Sequence, residues 1–341
     1  MIYLNNYGWN DKLSQLKQES TYNALTHGRI SIVHRTCYEV VSENGLFQCE
    51  LTGNMMYGKS DIELPCTGDW VLFQPFDEHK GIIVDMLPRE RTLYRKKNGT
   101  VADKQAIASY VDKAFIVQSL DDNFNVRRAE RFMVQMQEEN INPVLVFNKA
   151  DLGFDEQKVE EQIRHIARQI PVFFTSIHQP QTILQLRESI SAGVGKSSLV
   201  NALCEKSVLL TSDISLSTGK GRHTSTRREM VLMDGSGVLI DTPGVREFGL
   251  AIDDPDSLAE VLEISDYAAS CRFKDCKHIN EPGCAVLEAV SSGVLDRKVY
   301  ESYLKLRREA WHFSTSEYEK RKRDKSFSKL VDEVKKRKAN R

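Results

Sequence analysis

The chain has almost no net charge, no long apolar run and an odd number of cysteines, and each of these features argues against a class of protein. A formal net charge of -1 over 341 residues gives no overall field that would attract polyanions. No stretch approaches the length needed to span a bilayer, and the N-terminus lacks a basic region followed by an apolar run. Seven cysteines argue against a secreted disulfide framework. We therefore expect a globular, cytoplasmic protein without a membrane segment.

Charge is nevertheless uneven along the chain. Residues 320–341 carry eleven Lys and Arg against three acids, which is a local charge of +8. A run of this kind is either a solvated helix face or a contact for nucleic-acid phosphates, and the run alone leaves both open.

Short strand-like runs after residue 29 predict a small closed β-barrel. Turn signals such as Asn44-Gly45 and Pro75 separate the runs. A five-stranded barrel of this size is often an OB-fold that binds oligonucleotides, and the alternative is a purely structural β-domain. The predicted strands are Ile30–His34, Tyr38–Val41, Leu46–Leu51, Trp70–Gln74 and Gly81–Met86.

The middle of the chain alternates apolar strands with amphipathic helices, which is typical of a doubly wound α/β domain around a parallel sheet. Ligands of such sheets bind at the carboxyl ends of the strands. The predicted strands are Lys113–Leu120, Pro143–Phe147 and Val172–Thr175, and the predicted helices are Val126–Glu139 and Glu156–Gln169.

Asn148-Lys149-Ala150-Asp151 comes directly after the second of these strands. An aspartate accepts two hydrogen bonds from the ring N–H and the exocyclic amine of guanine, which adenine cannot offer. The alkyl stem of Lys149 is suited to pack on the guanine ring. The Asn148 side chain is suited to form hydrogen bonds with groups around that ring. A simple surface turn is the alternative, and the position after a strand favours guanine recognition over it.

Gly193-Val194-Gly195-Lys196-Ser197-Ser198 opens an apolar helix, an arrangement that holds nucleotide phosphates. Further on, Arg228–Met233 and Val238–Ile240 predict a hairpin that ends in Asp241-Thr242-Pro243-Gly244. Asp241 is suited to hold a magnesium shell, and Gly244 lets a backbone N–H approach a γ-phosphate. These two motifs together predict a nucleoside triphosphate site.

Three cysteines and one histidine are clustered in the C-terminal part of the chain. Their spacing is Cys271-x4-Cys276-x-His278-x5-Cys284. Three thiolates and one imidazole form the closed tetrahedral set that structural zinc prefers, so we predict one zinc ion here. A chance cluster of free cysteines is the alternative.

The motif order resembles that of the circularly permuted, ribosome small subunit-dependent GTPase family, RsgA (YjeQ/YloQ). Asn148–Asp151 and Thr175-Ser176 precede Gly195–Ser197, which precedes Gly221–Thr224 and Asp241–Gly244. The usual GTPase motif order 1-2-3-4-5 therefore appears as 4-5-1-2-3. The resemblance implies an N-terminal OB-fold β-barrel, a central α/β circularly permuted P-loop GTPase domain and a C-terminal α-helical zinc-binding domain.

The resemblance also implies a function in which the protein binds the 30S ribosomal subunit and 16S rRNA. It would hydrolyse GTP to GDP late in small-subunit maturation, with Mg²⁺ accompanying GTP. We expect the protein to be a monomer.

Residue roles follow from the same resemblance. Thr175 and Ser176 would line the guanine site, and Ser197 with Thr224 or Thr226 would hold Mg²⁺. Val245 stands where many GTPases place the glutamine that orients the attacking water, so His223 is the candidate for that catalytic role. The implied segments are an N-terminal extension (1–28), the RNA-binding barrel (29–95), the GTPase domain (96–255) and the zinc domain with its basic tail (256–341).

The chain departs from the family pattern just before Gly193. The family loop reads G-x-S-G-V-G-K-S-S behind an apolar strand, whereas Ile190-Ser191-Ala192 stands here in place of G-x-S and Leu186–Ser189 resembles the end of a helix. A strand and half of the loop, about ten residues, are thus missing. Either Gln181–Leu186 replaces the strand, or nucleotide binding and domain stability are weakened, and we favour the second.

Two rival functions stay open at this point. The first is a ribosome-binding or RNA-binding protein whose nucleotide site is impaired by the shortened loop. The second is a zinc-containing nucleic-acid module joined to an unrelated α/β enzyme domain.

Overall fold

The computed structural model forms two compact units, Met1–Arg95 with Gln105–Phe248, and Lys96–Lys104 with Gly249–Arg341. None of the described helices is long and apolar enough to cross a membrane. The structure describes residues 1–57, 60–96, 104–121, 124–167, 170–189, 228–233, 237–242, 249–252 and 258–314.

A closed five-stranded barrel follows the N-terminal segment, as the sequence predicts. Its strands pair in the order β1-β2-β3-β5-β4, and β4 pairs back onto β1 to close the barrel. The β3–β5 pair is parallel and the other pairs are antiparallel. Its strands are β1 (Thr26–Val33), β2 (Tyr38–Ser42), β3 (Gly45–Leu51), β4 (Trp70–Asp77) and β5 (Lys80–Met86).

The barrel interior is filled by alternate residues of these strands, because successive side chains of a strand point to opposite faces. On β3, Phe47 and Cys49 are buried whereas Gln48 and Glu50 are exposed. A short helix, α2 (Gly53–Met56), contributes the buried side chain of Met55 to the same core.

The N-terminal segment packs on the outside of the barrel. It consists of a 3-10 turn, Leu4–Tyr7, and helix α1 (Asp11–Glu19), which begins after Asn10 because the Asn10 side chain accepts a hydrogen bond from the Leu13 N–H. Leu4 and Leu13 share a buried cluster with Trp70. The docking of one face of this helix onto the barrel depends on tertiary contacts that the sequence of the N-terminal extension does not reveal.

Two further strands, β6 (Leu93–Lys96) and β7 (Lys104–Ala108), form a separate two-stranded sheet. The parallel sheet follows, with β8 (Lys113–Ser119), β9 (Asn142–Asn148) and β10 (Val172–Thr175) in the order β10-β9-β8. Helix α3 (Val126–Glu138) connects β8 to β9, and α4 (Glu156–Ala167) connects β9 to β10. The predicted strand and helix alternation is thus confirmed.

The predicted hairpin is present as β11 (Glu229–Met233) and β12 (Gly237–Asp241). It does not join the parallel sheet within the described residues. Instead β11 pairs with β1 of the barrel through Ile32 and Glu229, which makes one continuous seven-stranded sheet. Side chains of the hairpin nevertheless share a buried core with β8, β9 and the helix that follows β10.

That helix, α5 (Pro180–Ser189), excludes one of the two outcomes that the sequence left open. Gln181–Leu186 does not form a replacement strand, so that alternative is wrong. Ile183 and Leu186 are buried three residues apart, which is a helical period, and the Thr182 hydroxyl accepts from the Ser176 N–H beside the first turn. Within the described residues β8 pairs only with β9, and β12 only with β11.

The second unit is helical and surrounds the cysteine and histidine cluster. Two helices follow the cluster in the chain, and the basic tail beyond residue 314 lies outside the described residues. Buried side chains that include Leu262, Val286 and Tyr303 give this unit apolar packing of its own. Its helices are α6 (Leu258–Val261), α7 (Ser265–Ala268), α8 (Ala285–Ser291) and α9 (Arg297–Ser314).

Candidate functional site

The carboxyl ends of the three parallel strands lie in one row. Ser119 of β8 and Thr175 of β10 are both register partners of Asn148 on β9. The backbone carbonyl of Asn148 accepts a hydrogen bond from Leu120 N at 2.9 Å, and its side-chain oxygen lies 3.5 Å from the Thr175 hydroxyl. Because all three loops leave the same edge, the side chains after each strand converge there.

The Asn148–Asp151 turn has a defined backbone shape. Lys149 adopts the left-handed conformation with φ 66°, which is uncommon for a residue with a side chain. A 3-10 turn over Ala150–Leu152 follows at once, closed by a hydrogen bond from Leu152 N to the Lys149 carbonyl. The turn therefore presents Lys149 and Asp151 from a fixed backbone.

Asp151 is exposed and ionised at the edge of the sheet. A hydrogen bond from the Ser176 side chain lowers the pKa of the Asp151 carboxyl, with smaller contributions from its own backbone N–H, His178 and Lys149. Ser176 is itself fully buried, which fixes the direction from which its hydroxyl reaches the carboxylate. A carboxylate held in this way keeps its acceptor oxygens available to a ligand that offers two N–H donors.

A chain of aromatic contacts supports this turn. The Phe147 ring contacts Phe124 and Phe174, with centroids 5.5 Å and 5.6 Å away. Phe174 in turn stacks on Phe154 at 5.3 Å, just beyond the turn. These contacts tie the segments before and after Asn148–Asp151 to β10 and stabilise the position of the turn.

Asp121 is a polar residue of this edge that the sequence analysis does not single out. Its carboxylate accepts from the Lys149 ammonium at 2.8 Å and from the Ser119 hydroxyl at 2.7 Å, through different oxygens. In the sequence, Asp121 is only an acidic residue two positions after the end of β8. Its proximity to Lys149 follows only from the register in which β8 pairs with β9.

The hairpin carries one predicted site residue, Asp241, at the end of β12. Asp241 is buried and is the register partner of Glu229 on β11. It therefore belongs to the seven-stranded sheet, whereas Asn148, Lys149, Asp151, Thr175 and Ser176 gather at the parallel sheet. The other predicted nucleotide-site residues, Gly193, Val194, Gly195, Lys196, Ser197, Ser198, His223, Thr224 and Gly244, lie outside the described residues.

Cys271, Cys276, His278 and Cys284 form the predicted metal cluster, with all four ligand atoms within 4.8 Å of one another. The Cys271 and Cys284 sulfurs are 3.8 Å apart, and His278 Nδ1 lies 3.6 Å and 3.4 Å from them. Tetrahedral zinc, with bonds of about 2.3 Å to sulfur and about 2.0 Å to nitrogen, sets edges of about 3.8 Å and about 3.5 Å between its ligands. The cluster thus fits a tetrahedral metal ion.

The loop between Cys276 and Cys284 is held by a single carboxylate. Glu281 accepts from the backbone N–H groups of Lys277, Ile279 and Asn280, and these bonds, that of Ile279 first, lower its pKa to about 2. The carboxylate bridges both sides of His278, which has the left-handed φ of 56°. Glu281 therefore stabilises the backbone from which the histidine ligand projects.

Helix α9 fixes the same loop from the other side. The Tyr300 hydroxyl donates to the His278 carbonyl at 2.6 Å, and Arg307 donates to the Lys277 carbonyl at 2.6 Å. His278 is 6% exposed, and its ring lies 6.3 Å from the ring of Tyr303 on the same helix. Together they connect the metal cluster to the longest helix of its unit.

Comparison with known proteins identifies the family. The model of the RsgA GTPase family matches residues 86–251. The small ribosomal subunit biogenesis GTPase RsgA 1 of Bacteroides thetaiotaomicron is 77% identical to this chain and covers 98% of it, with 97% of that protein aligned. The alignment has 344 positions, whereas 98% of 341 residues is about 334, so about ten positions have no residue here. This number agrees in size with the shortening predicted before Gly193.

Solved structures agree in fold. YjeQ from Thermotoga maritima matches with a TM-score of 0.60 at 25% identity, over 84% of this chain and 98% of that chain. YloQ, described as a circularly permuted GTPase, matches with a TM-score of 0.57 at 22% identity, over 87% of this chain and 99% of that chain. The relative that is 77% identical over 98% of this chain, together with the matching family model, shows that the chain belongs to the RsgA family of GTPases.

Proposed function

We propose that this protein is a GTPase that binds the 30S ribosomal subunit and hydrolyses GTP to GDP late in small-subunit assembly. The observation that carries the proposal is the convergence of Asn148, Lys149, Asp151 and Ser176 at one edge of a parallel sheet. This set offers a carboxylate to the two N–H donors of guanine. The name of the B. thetaiotaomicron relative supports the ribosomal role.

In this proposal each motif has a separate task. Lys196 neutralises β- and γ-phosphate charge, and the backbone N–H groups of Gly193–Ser198 cradle the phosphates. Ser197 and Thr224 hold Mg²⁺, with Asp241 supporting the magnesium shell and Gly244 approaching the γ-phosphate. His223 orients the attacking water in place of the glutamine that is absent at position 245.

The remaining parts provide the ribosome contacts. The barrel and the basic tail would contact 16S rRNA through phosphates and exposed bases. The Cys271, Cys276, His278 and Cys284 cluster would hold one structural Zn²⁺. We further propose that the protein acts as a monomer in the cytoplasm, where the ribosomal subunits are assembled. The proposed domain bounds are 1–28 for the N-terminal extension, 29–95 for the barrel, 96–255 for the GTPase domain and 256–341 for the zinc domain with its tail.

GTP turnover measured with and without purified 30S subunits tests the proposal. We expect slow hydrolysis by the protein alone and a large stimulation by 30S subunits, because the chain belongs to a family of GTPases that depend on the small ribosomal subunit. Lys196→Ala serves as the control, since it should abolish turnover in both conditions. Equal rates with and without 30S subunits would contradict the proposal.

The β8 edge favours a second candidate function, a ribosome-binding protein with an impaired nucleotide site. Within the described residues no strand pairs with β8 on the side away from β9, and α5 is helical where a replacement strand was one alternative. Titration with fluorescent GTP and ATP separates the two candidates. Mg²⁺-dependent, micromolar affinity for GTP over ATP supports the GTPase, whereas 30S binding without nucleotide binding supports the second candidate.

A further inference from the structure

We propose that Asp121 is a positioning residue of the guanine site, and that it acts by holding the Lys149 side chain in place. This inference rests on the proposed function, because it gives a role to a neighbour of the predicted guanine-binding turn. It is carried by a chain of two contacts: Ser119 donates to one oxygen of the Asp121 carboxylate at 2.7 Å, and Lys149 donates to the other at 2.8 Å.

The register of the parallel sheet explains why these residues meet. Ser119 and Asn148 are register partners at the ends of β8 and β9. Asp121 lies two residues beyond Ser119, and Lys149 one residue beyond Asn148, so both leave the same edge in adjacent loops. The Asp121 and Lys149 side chains are 26% and 35% exposed, which leaves the pair open to a ligand at this edge.

Lys149 is consequently fixed at both ends of its side chain. Its backbone is set by the left-handed turn, and its ammonium group is set by Asp121. A lysine stem held in this way offers an ordered apolar surface for a planar ring, whereas a free stem would have to lose rotamer freedom on binding. Asp121 thus prepares the surface on which the guanine ring packs, without touching the nucleotide.

The sign of the effect separates positioning from simple electrostatics. GDP is an anion, so removal of the nearby negative charge of Asp121 should strengthen GDP binding if Asp121 acts only through its charge. Loss of positioning predicts the opposite change. The direction of the shift in affinity is therefore informative by itself.

The test is Asp121→Asn, which keeps the side-chain shape and removes the charge. We expect the Kd for GDP to rise about threefold to tenfold, the range expected when one long side chain must be ordered on binding. In the 30S-stimulated reaction KM for GTP should rise by a similar factor with kcat unchanged, because base packing is equal in ground and transition states. Asp112→Asn is the matched control.

Asp112 suits this purpose because it is also an ion-paired acid next to β8, but at the opposite end of the strand. It lies 3.0 Å from Arg91 and immediately precedes Lys113, the first residue of β8. Its removal should leave the Kd for GDP unchanged. Ser119→Ala should weaken GDP binding less than Asp121→Asn but in the same direction, and it provides a second variant if Asp121→Asn folds poorly.

A double variant shows whether Asp121 acts through Lys149. In a Lys149→Met background, Asp121→Asn should add no further loss of GDP affinity. Additive losses, or tighter GDP binding by Asp121→Asn, would overturn the role of Asp121 while leaving the GTPase proposal intact. If the unaltered protein and Asp112→Asn both fail to bind GDP, the proposed function and this inference are overturned together.

Discussion

The Asp151 carboxylate lies at the end of β9, held by a hydrogen bond from Ser176 and exposed to ligand. Asp151→Asn should shift base preference from guanine towards xanthine. The amide offers one acceptor and one donor group, which matches the ring N–H and the neighbouring carbonyl of xanthine and leaves the guanine amine facing a donor. Competition of GDP and XDP for the protein measures this.

We expect the GDP affinity of the Asp151→Asn variant to fall by at least about tenfold, because the loss of a charge-assisted pair of hydrogen bonds costs about 1.5–3 kcal/mol per bond. Asp155→Asn, in the loop just after the site, is the control and should leave the preference unchanged. An Asp151→Asn variant that still prefers GDP to XDP would show that this carboxylate does not read the base.

Individual residues of the site differ in how far the sequence could predict them. Spacing alone predicted Cys271, Cys276, His278 and Cys284, because ligands of a small metal loop are close in the chain. Asp121 could not be found in this way, since its contact with Lys149 spans two strands and depends on their register. Local motifs are visible in a sequence, whereas partners from a neighbouring strand are not.

At the scale of elements, the three strands of the parallel sheet were the most predictable part of the fold. Strands β8, β9 and β10 were predicted because apolar runs alternate with amphipathic helices. The pairing of β11 with β1 was not predictable, because an edge strand carries no signal for its partner. The sequence left the state of Gln181–Leu186 open, because two apolar residues three apart, Ile183 and Leu186, are too few to separate a helix from a strand.

Restoring the strand that the family has before the phosphate loop should stabilise this domain. Inserting the corresponding residues of the B. thetaiotaomicron relative before Gly193 would offer a partner strand to β8 on the side away from β9, where the described residues include no paired strand. We expect the melting temperature to rise by about 5 °C or more, together with tighter GDP binding.

An insertion of equal length made of Gly and Ser at the same site is the control for the insertion experiment. It restores the chain length without apolar residues that could form a buried strand. Calorimetry without nucleotide, followed by titration with GDP, separates the gain in fold stability from the gain in affinity. Equal melting temperatures for the two insertions would contradict the role given to the missing strand.

At the scale of the whole molecule, the chain forms two units, and each has its own source of stability. The first has several buried clusters, including the barrel interior around Ile30 and Phe73. The second combines a smaller set of buried side chains with the metal cluster that Glu281 and helix α9 support. A metal ion is expected to matter most for the second unit, because a small apolar core needs an additional constraint.

Removal of the metal by a strong chelator should therefore loosen the second unit and leave the barrel intact. We expect backbone amides over residues 271–291 to lose hydrogen-exchange protection, because without a bound ion the four ligand residues no longer constrain the loop, while β1–β5 keep theirs. Cys284→Ser should reproduce this pattern, and Cys37→Ser, which replaces a barrel cysteine, should not. Equal loss of protection in both units, or no loss over 271–291, would show that the cluster does not stabilise its unit through a metal ion.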